Sequence, residues 1–214
     1  MKIPALSDLK KPVVFLLGLM PFALMLVDSL NDSLGPEPIE TLQFRTGDWT
    51  LRFLLATLAC TPLKLLLHWN AQMRFRRMLG LFAFFYASVH CLVYLALDLS
   101  LSWQQIVDEV PQSPHVIIGL VAFVLLVPLA LTSTQSMARR LGRRWKKLHS
   151  LIYLVGCLGI LHFFLLVKAD IREPLFYGSL LAFLLGIRIA HRIRQRRCTD
   201  RSIPASGSLP TTRL

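Results

Sequence analysis

The sequence predicts an all-α membrane protein in which six helices cross the bilayer. Three observations predict this class: 54% of the 214 residues are hydrophobic, 17% are charged, and the apolar residues fall into six long blocks. Soluble domains carry about 25% charged residues and about 45–50% apolar ones. The composition therefore excludes a disordered or fibrous chain. It also does not fit a water-soluble nucleic-acid-binding protein, although the net charge is +12.

Each of the six blocks is long enough to span, or nearly span, a bilayer. A hydrocarbon core of about 30 Å requires about 20 mostly apolar residues in a helix. Each block must be helical, because lipid offers no partner for unpaired backbone groups. Flanking Lys and Arg side chains extend the shorter blocks by reaching back to the interface. The predicted spans are residues 12–27, 51–67, 78–97, 116–132, 148–167 and 174–189.

The first block follows Lys10 and Lys11, as the apolar part of a secretory signal does. No small-residue cleavage site follows it, and the chain continues as Val27-Asp28-Ser29. We therefore predict a retained transmembrane helix.

The distribution of charge predicts the orientation. With the N-terminus inside, 20 of the 24 Lys and Arg residues lie on the cytoplasmic side, and ten of the twelve Asp and Glu residues lie outside. This is a strong positive-inside signal, so both termini are predicted to be cytoplasmic. A basic inner surface binds anionic membrane lipid, which accounts for the net charge without nucleic acid.

The predicted organisation has three parts. Residues 1–11 form a cytoplasmic N-terminus, residues 12–191 form the six-helix transmembrane domain, and residues 192–214 form a basic, disordered cytoplasmic tail. No internal repeat is visible. The four cysteines have neither the spacing of a disulfide framework nor that of a zinc site.

Two histidines lie well inside predicted spans, where an ionisable residue is costly and indicates function. His90 is about 13 residues from the cytoplasmic start of span three, and His162 is about 14 residues from the start of span five. At 1.5 Å per residue, both imidazoles reach about 20 Å into the membrane. Two imidazoles at matching depth on different helices are what an axially coordinated haem iron requires.

Other interpretations of this pair remain open at this point. Each histidine can instead bond a backbone carbonyl or the nearby Ser88 and bind no cofactor. The pair can also relay protons in a small transporter, or the chain can be a membrane anchor in which these residues carry no activity. A zinc site is less favoured, because no carboxylate or second cysteine is at hand to complete a tetrahedron.

A further group of candidate cofactor-binding residues lies near the cytoplasmic side of the membrane. His149 precedes His162 by 13 residues, a spacing that leaves the two side chains about 140° apart on an ideal helix. If both ligate stacked haems, the helix must be irregular, and Gly156 and Gly159 would permit this. The matching depth in span three holds arginine instead of histidine. Arg76 and Arg77 cannot ligate iron but can pair with a haem propionate or a flavin phosphate.

His68, at the inner end of span two, is the other candidate partner for an inner haem and ranks below the residues above, whereas His115 and His191 are predicted to be interfacial. Trp69, Trp145 and Tyr153 are candidates for an electron path, but such residues more often serve as interface anchors.

Several motifs of the sequence resemble those of the MsrQ family, formerly called YedZ. The longest is residues 139–149, from Arg139-Arg140-Leu141 to Leu148-His149, followed by His162 and by residues 166–168. Residues 128–133, Gly47-Asp48-Trp49 and residues 77–80 are also similar to that family, and the similarity covers about residues 10–195.

This resemblance implies a ferric-reductase-like transmembrane domain, related to the membrane part of NADPH oxidases, over residues 12–191. It also implies a location in a bacterial inner membrane. It implies b-type haem and FMN as cofactors. The family's haem-ligand histidines correspond to His90, His149 and His162. Arg76 stands where the oxidases have a second histidine on span three, so a complete inner haem is not expected.

The resemblance also implies an electron-transfer subunit without substrate chemistry of its own. Electrons would pass from the quinone pool to MsrP, a periplasmic molybdopterin subunit that reduces methionine sulfoxide in oxidised proteins. A cytosolic flavin reductase is the alternative donor. The competing functions are a ferric or quinone reductase with a different acceptor and the histidine-containing transporter.

Overall fold

The computed structural model describes residues 6–67, 71–167 and 170–201. This part of the chain is helical, and no strand occurs in it. The helices are α1 (Leu6–Leu30), α2 (Pro38–Leu67), α3 (Arg76–Val93), α4 (Trp103–Glu109), α5 (Pro114–Leu131), α6 (Gln135–Leu141), α7 (Arg143–His149), α8 (Leu151–Leu166) and α9 (Arg172–Arg201). A 3-10 turn precedes α3 over Ala71–Arg74, and a π-helical turn over Tyr94–Asp98 continues it.

Six helical stretches in the described ranges are long and apolar enough to cross a membrane, in agreement with the prediction. They are Lys10–Leu30, Pro38–Leu66, Arg76–Asp98, Pro114–Leu131, Arg143–Leu166 and Arg172–Gln195. The protein is therefore an all-α, multi-pass integral membrane protein.

The helix ends differ from the predicted ones at two places. Helix α2 begins at Pro38, thirteen residues before the predicted start at residue 51. Its first half carries polar side chains that hydropathy alone does not assign to a span. Helix α9 continues to Arg201, so residues 192–201, predicted as part of a disordered tail, are helical. Residues 202–214 lie outside the described residues.

Two antiparallel helix pairs form the centre of the bundle, α2 with α3 and α5 with α8. The core between α2 and α3 is aromatic: the ring of Phe53 stacks on Phe82 at a centroid distance of 5.2 Å and on Tyr86 at 5.3 Å. Tyr86 and Leu58 are fully buried. Helix α9 packs against α2 and α8.

Helix α1 is attached to this centre through Tyr86. The Tyr86 hydroxyl donates to the carbonyl of Gly18 at 2.8 Å and accepts from the amide of Phe22 at 3.0 Å. It therefore bridges two backbone groups of α1 that are four residues apart. A Cβ atom on Gly18 would lie 2.4 Å from the ring of Phe82, so the close approach of α1 to α3 requires glycine there.

The bundle has two chemically different ends. The His90 end contains the starts of α2, α5 and α9 and the ends of α3 and α8. The Arg76 end contains the end of α2, the start of α3 and the helix α7.

Candidate functional site

The structure brings His90 and His162 together. His90 lies near the end of α3 and His162 near the end of α8, and the two ring centroids are 6.1 Å apart with an interplanar angle of 83°. The depth match predicted for these residues thus corresponds to an actual pair of neighbouring rings. Ser88, a predicted alternative partner, instead donates to the carbonyl of Phe84.

Backbone carbonyls determine the tautomer of both rings. Nδ1 of His90 lies 3.0 Å from the carbonyl oxygen of Gln43, and Nδ1 of His162 lies 2.6 Å from that of His115. A carbonyl can only accept, so each Nδ1 carries the hydrogen and each Nε2 is left with its lone pair. Among the described residues, no hydrogen-bond partner faces either Nε2.

The His90 ring has one further contact of this kind. The Thr46 hydroxyl lies 3.2 Å from Nδ1 of His90 and donates its own hydrogen to the carbonyl of Leu42 at 2.7 Å. Its oxygen can therefore accept from the histidine, which adds to the preference for the same tautomer. Thr46 is buried, with 1% of its surface exposed.

The two histidines are held in the same way, and this repeat is not apparent from the sequence. In both cases the carbonyl partner precedes the histidine by 47 residues. In both cases a glycine follows the carbonyl residue by four positions, Gly47 on α2 and Gly119 on α5. A side chain at that position would lean back over the preceding turn and cover the carbonyl.

Both glycines therefore leave space for an imidazole. A Cβ atom on Gly119 would lie 2.8 Å from Nδ1 of His162, closer than Cβ atoms in proteins approach other heavy atoms. A Cβ atom on Gly47 would lie 3.3 Å from Cε1 and 3.4 Å from Nδ1 of His90, which is tight. We call each arrangement of a carbonyl and a glycine four residues later a carbonyl notch, the first formed by Gln43 and Gly47 and the second by His115 and Gly119.

The residues present fit haem iron better than a tetrahedral metal ion. An ion bound midway between two imidazole nitrogens, at about 2 Å from each, separates the ring centroids by roughly 6 Å. The observed distance is 6.1 Å. Within the described ranges no group of three or more His, Cys, Asp or Glu side chains is arranged to hold a metal ion, which argues against zinc.

His149 is not part of this pair. It ends α7 at the Arg76 end, its ring stacks on the Trp145 indole at a centroid distance of 3.9 Å, and its Nδ1 lies 3.3 Å from the carbonyl of Trp145. The helix irregularity expected between His149 and His162 is an interruption at Ser150, between the end of α7 and the start of α8. It does not occur at Gly156 or Gly159, which lie inside α8.

The two candidate arginines have different environments. Arg76, the first residue of α3, is half-buried and interacts electrostatically with His149 and with Arg188 on α9. Arg77 is exposed.

The position that sequence reasoning missed is Arg188, which is buried although the charge pattern assigned it to the cytoplasmic rim. Its place between Ile187 and Ile189, within an apolar block, was the available signal.

The other histidines and aromatic residues singled out in the sequence do not belong to the His90–His162 pair. His115 contributes its carbonyl to the site, and its ring centroid lies 6.2 Å from that of His162. His191 contacts Gln195 one turn away. Trp145 donates from its indole to the carbonyl of Thr132, and Tyr153 accepts from Arg188. His68 and Trp69 lie outside the described residues.

A polar network lies on α2 beside the first carbonyl notch. The Tyr177 hydroxyl donates to Oδ1 of Asp48 at 2.8 Å and accepts from Nε of Arg52 at 3.2 Å. Arg52 also forms an ion pair with Asp48 and lies 4.9 Å from the centre of the Trp49 ring. This network joins the start of α9 to α2.

Comparison with known proteins identifies the family. The family described as "Ferric reductase like transmembrane component" matches residues 46–173. Three similar proteins are each named protein-methionine-sulfoxide reductase heme-binding subunit MsrQ. The protein from Xanthomonas euvesicatoria pv. vesicatoria is 53% identical, over 80% of this chain and 78% of its own. That from Xanthomonas axonopodis pv. citri is 48% identical, over 89% and 90%. That from Herminiimonas arsenicoxydans is 44% identical, over 87% of each chain.

No solved structure matches the chain significantly. The family match includes His90, His162 and both carbonyl notches except Gln43. The similarity to the named relatives extends over most of the chain at well above 30% identity. The chain therefore belongs to the MsrQ family of ferric-reductase-like membrane proteins.

Proposed function

We propose that this protein is a b-type haem electron-transfer subunit of a methionine sulfoxide reductase system. The observation that carries the proposal is the pair of imidazoles 6.1 Å apart, each with Nδ1 bonded to a carbonyl and Nε2 left free. The names of the relatives, which specify a heme-binding subunit of that reductase, support it.

His90 and His162 would hold the haem iron. Bound haem would supply a one-electron carrier at this position. Because two imidazoles would hold the iron, the binding of oxygen would be disfavoured. The carbonyl notches orient the rings and raise the basicity of Nε2 through the hydrogen bonds at Nδ1. As such a relay, the protein would perform no bond-making step on a substrate.

The electron acceptor would be MsrP, a soluble partner at the His90 end. If the positive-inside orientation holds, this end faces the periplasm. The loops around it, residues 98–115 and 170–173, carry Asp98, Asp108, Glu109, Asp170 and Glu173. These carboxylates would steer a partner with a basic patch.

The donor would act from the other side of the membrane. The quinone pool is the proposed source of electrons, and a cytosolic flavin reductase is the alternative. FMN would be held at the Arg76 end, where Arg76, Arg77 and His149 offer cationic and aromatic contacts. A second haem at His149 is less well supported, because the ring packed against it within the described part of the chain is the Trp145 indole.

An optical spectrum of the purified protein, reduced minus oxidised, tests the proposal. We expect the sharp bands of a low-spin haem in the wild type and in His149→Ala and His191→Ala, and their loss in His90→Ala and His162→Ala. Electron delivery to purified MsrP should be lost in the same two variants. A colourless preparation from cells well supplied with porphyrin would contradict the haem site and favour the transporter. A coloured protein that reduces ferric iron but not MsrP would favour the ferric reductase.

A further inference from the structure

The two carbonyl notches differ at the residue that directly precedes the glycine. This residue is Thr46 in the first notch and Ile118 in the second. Both side chains are β-branched, but only that of threonine carries a hydroxyl, which can donate one hydrogen bond and accept two. Within the described residues, Nδ1 of His162 has one hydrogen-bond partner, the carbonyl of His115 at 2.6 Å. The first notch offers its histidine a second acceptor.

The hydroxyl of Thr46 lies where it can accept from His90. Nδ1 of His90 is 3.0 Å from the carbonyl oxygen of Gln43 and 3.2 Å from Oγ1 of Thr46, so its hydrogen is shared between two oxygens in a three-centre bond. The hydroxyl hydrogen goes to a backbone carbonyl, that of Leu42 at 2.7 Å or that of Gln43 at 3.1 Å. In either case Oγ1 keeps its lone pairs for the ring.

The burial of Thr46 strengthens this contact. The residue is 1% exposed, so water does not compete for its hydroxyl. A hydrogen bond in such a low-dielectric site is stronger than one at the surface. An additional acceptor at Nδ1 makes Nε2 of the same ring more electron-rich, which stabilises the higher oxidation state of a metal bound to Nε2.

We propose that Thr46 is a positioning residue for His90 and, through this ring, lowers the reduction potential of the bound haem. Rotation of the His90 ring away from its observed plane would break two contacts at Nδ1 instead of one. A lower potential makes the reduced haem a stronger electron donor to its acceptor. The effect on the potential rests on the proposed function, in which His90 and His162 hold haem iron, whereas the hydrogen bond between Thr46 and His90 does not.

The test removes the hydroxyl while keeping the shape of the side chain. Thr46→Val removes the acceptor, and Thr46→Ser keeps it. Spectroelectrochemical titration of the full-length protein in nanodiscs measures the reduction potential. We expect Thr46→Val to raise the ratio of ferrous to ferric haem at a fixed applied potential about threefold, a shift of about 28 mV at about 59 mV per tenfold. Thr46→Ser should restore a potential near that of the wild type.

Thr57→Val is the matched control on the same helix. The Thr57 hydroxyl is buried and donates to the carbonyl of Phe53 at 2.8 Å, four residues back, as Thr46 does to Leu42. Among the described residues it bonds no histidine. Thr57→Val therefore removes an equivalent buried hydroxyl and should leave the potential unchanged.

A reciprocal variant keeps the proposal testable if Thr46→Val fails to fold. Ile118→Thr introduces a hydroxyl at the corresponding position of the second notch, three residues after His115. The added acceptor should lower the ratio of ferrous to ferric haem at a fixed applied potential. A ratio that stays unchanged or rises in this variant would contradict the proposed effect of a hydroxyl at that position.

A measurement on the haem-free protein separates this proposal from the haem assignment. With nitrogen-labelled histidine, the NMR signal of Nδ1 of His90, identified by its loss in His90→Gln, should shift in Thr46→Val and not in Thr57→Val. The signal of His162 should stay in place. An unchanged His90 signal would overturn the hydrogen bond, and a potential moved no further by Thr46→Val than by Thr57→Val would overturn its effect on the haem. If the wild type binds no haem, the proposed function fails, and the shift of the signal alone then supports or overturns the positioning of His90 by Thr46.

Discussion

Arg188 donates a hydrogen bond to the carbonyl of Leu58, which lies four residues before Pro62 in α2. In a regular helix that carbonyl would accept from the amide of residue 62, but proline has no amide hydrogen. Inside a membrane the freed carbonyl has no water to bond. Arg188 therefore takes the place of the missing donor and fixes α9 against α2.

This relationship predicts coupling between Pro62 and Arg188. Arg188→Gln should lower the free energy of unfolding by about 1–3 kcal/mol, because the Leu58 carbonyl and the Tyr153 hydroxyl lose their donor. In a Pro62→Ala background the alanine amide bonds Leu58, so the same substitution should cost about 1 kcal/mol less. Denaturant unfolding of the four proteins in detergent measures the difference. Strictly additive effects would show that the two residues do not share the carbonyl.

The second carbonyl notch predicts a strong effect of one methyl group. In Gly119→Ala the new Cβ would lie 2.8 Å from Nδ1 of His162, so the ring must move away from the carbonyl of His115. Loss of such an outer hydrogen bond typically costs about 10–100-fold in metal affinity. We expect weaker haem binding in a haem titration and a partial change from low-spin to high-spin bands. Gly47→Ala should have a smaller effect, since its contacts begin at 3.3 Å.

A matched control lies on α8 itself. A Cβ atom on Gly159 meets nothing within 4 Å. Gly159→Ala should therefore leave the spectrum and the haem affinity unchanged and favour the helix slightly, by up to about 1 kcal/mol. Wild-type haem affinity in Gly119→Ala would show that the second notch does not position His162.

The hydrogen bonds of the Tyr86 hydroxyl predict that its removal loosens α1 locally. Tyr86→Phe removes the hydroxyl that joins Gly18 and Phe22 to α3. These two backbone groups are helical partners and can bond each other, so the loss of stability should stay near 1 kcal/mol. Hydrogen exchange in residues 18–22 should nevertheless become faster, because α1 loses its anchor, while the haem bands stay unchanged.

Tyr94→Phe is the control for that experiment. Tyr94 lies on the π-helical turn that extends the same helix, and its hydroxyl makes no hydrogen bond within the described residues. Exchange in α1 should match that of the wild type. Equal exchange in both variants would argue that the other contacts of α1, among them Gly18 with Phe82 and Asp28 with Arg45, hold this helix without the Tyr86 hydroxyl.

The charge asymmetry predicts the orientation, which reporter fusions measure. A green fluorescent protein fused after Leu214 should fluoresce, and alkaline phosphatase fused there should be inactive, because the C-terminus is expected in the cytoplasm. Alkaline phosphatase fused after Gln112, in the loop before α5, should be active. The opposite pattern would reverse the sides assigned to the electron donor and acceptor.

Much of the fold was predictable from hydropathy, because lipid allows few alternatives to apolar helices. All six spans occur where the sequence indicated. The start of α2 was not predictable in this way, since residues 38–50 contain Arg45 and Asp48, which form ion pairs with Asp28 and Arg52. Arg45 is balanced by Asp28 on α1, and Asp48 by Arg52 one turn later and by the Tyr177 hydroxyl on α9. A hydropathy pattern does not register such pairing.

At the candidate site, periodicity was enough to bring His90 and His162 to one depth, because helical rise is nearly constant. It was not enough to find what holds them. The hydrogen-bond acceptors are backbone carbonyls 47 residues away. Every residue has such a carbonyl, so the sequence does not indicate which one accepts. Arg188 was missed for a related reason: counting it as one more positive charge concealed that it is buried.

The carbonyl notches have a consequence for how such a protein can vary. Every amino acid supplies the same main-chain oxygen, so exchanging Gln43 or His115 for another residue does not remove the acceptor. Tolerance should instead fall at the two glycines, sharply at Gly119, where a Cβ atom would lie 2.8 Å from His162, and less sharply at Gly47, where the contact is 3.3 Å. A complete substitution scan would then show two permissive positions, each followed one helical turn later by a restricted one, with the stricter restriction at Gly119.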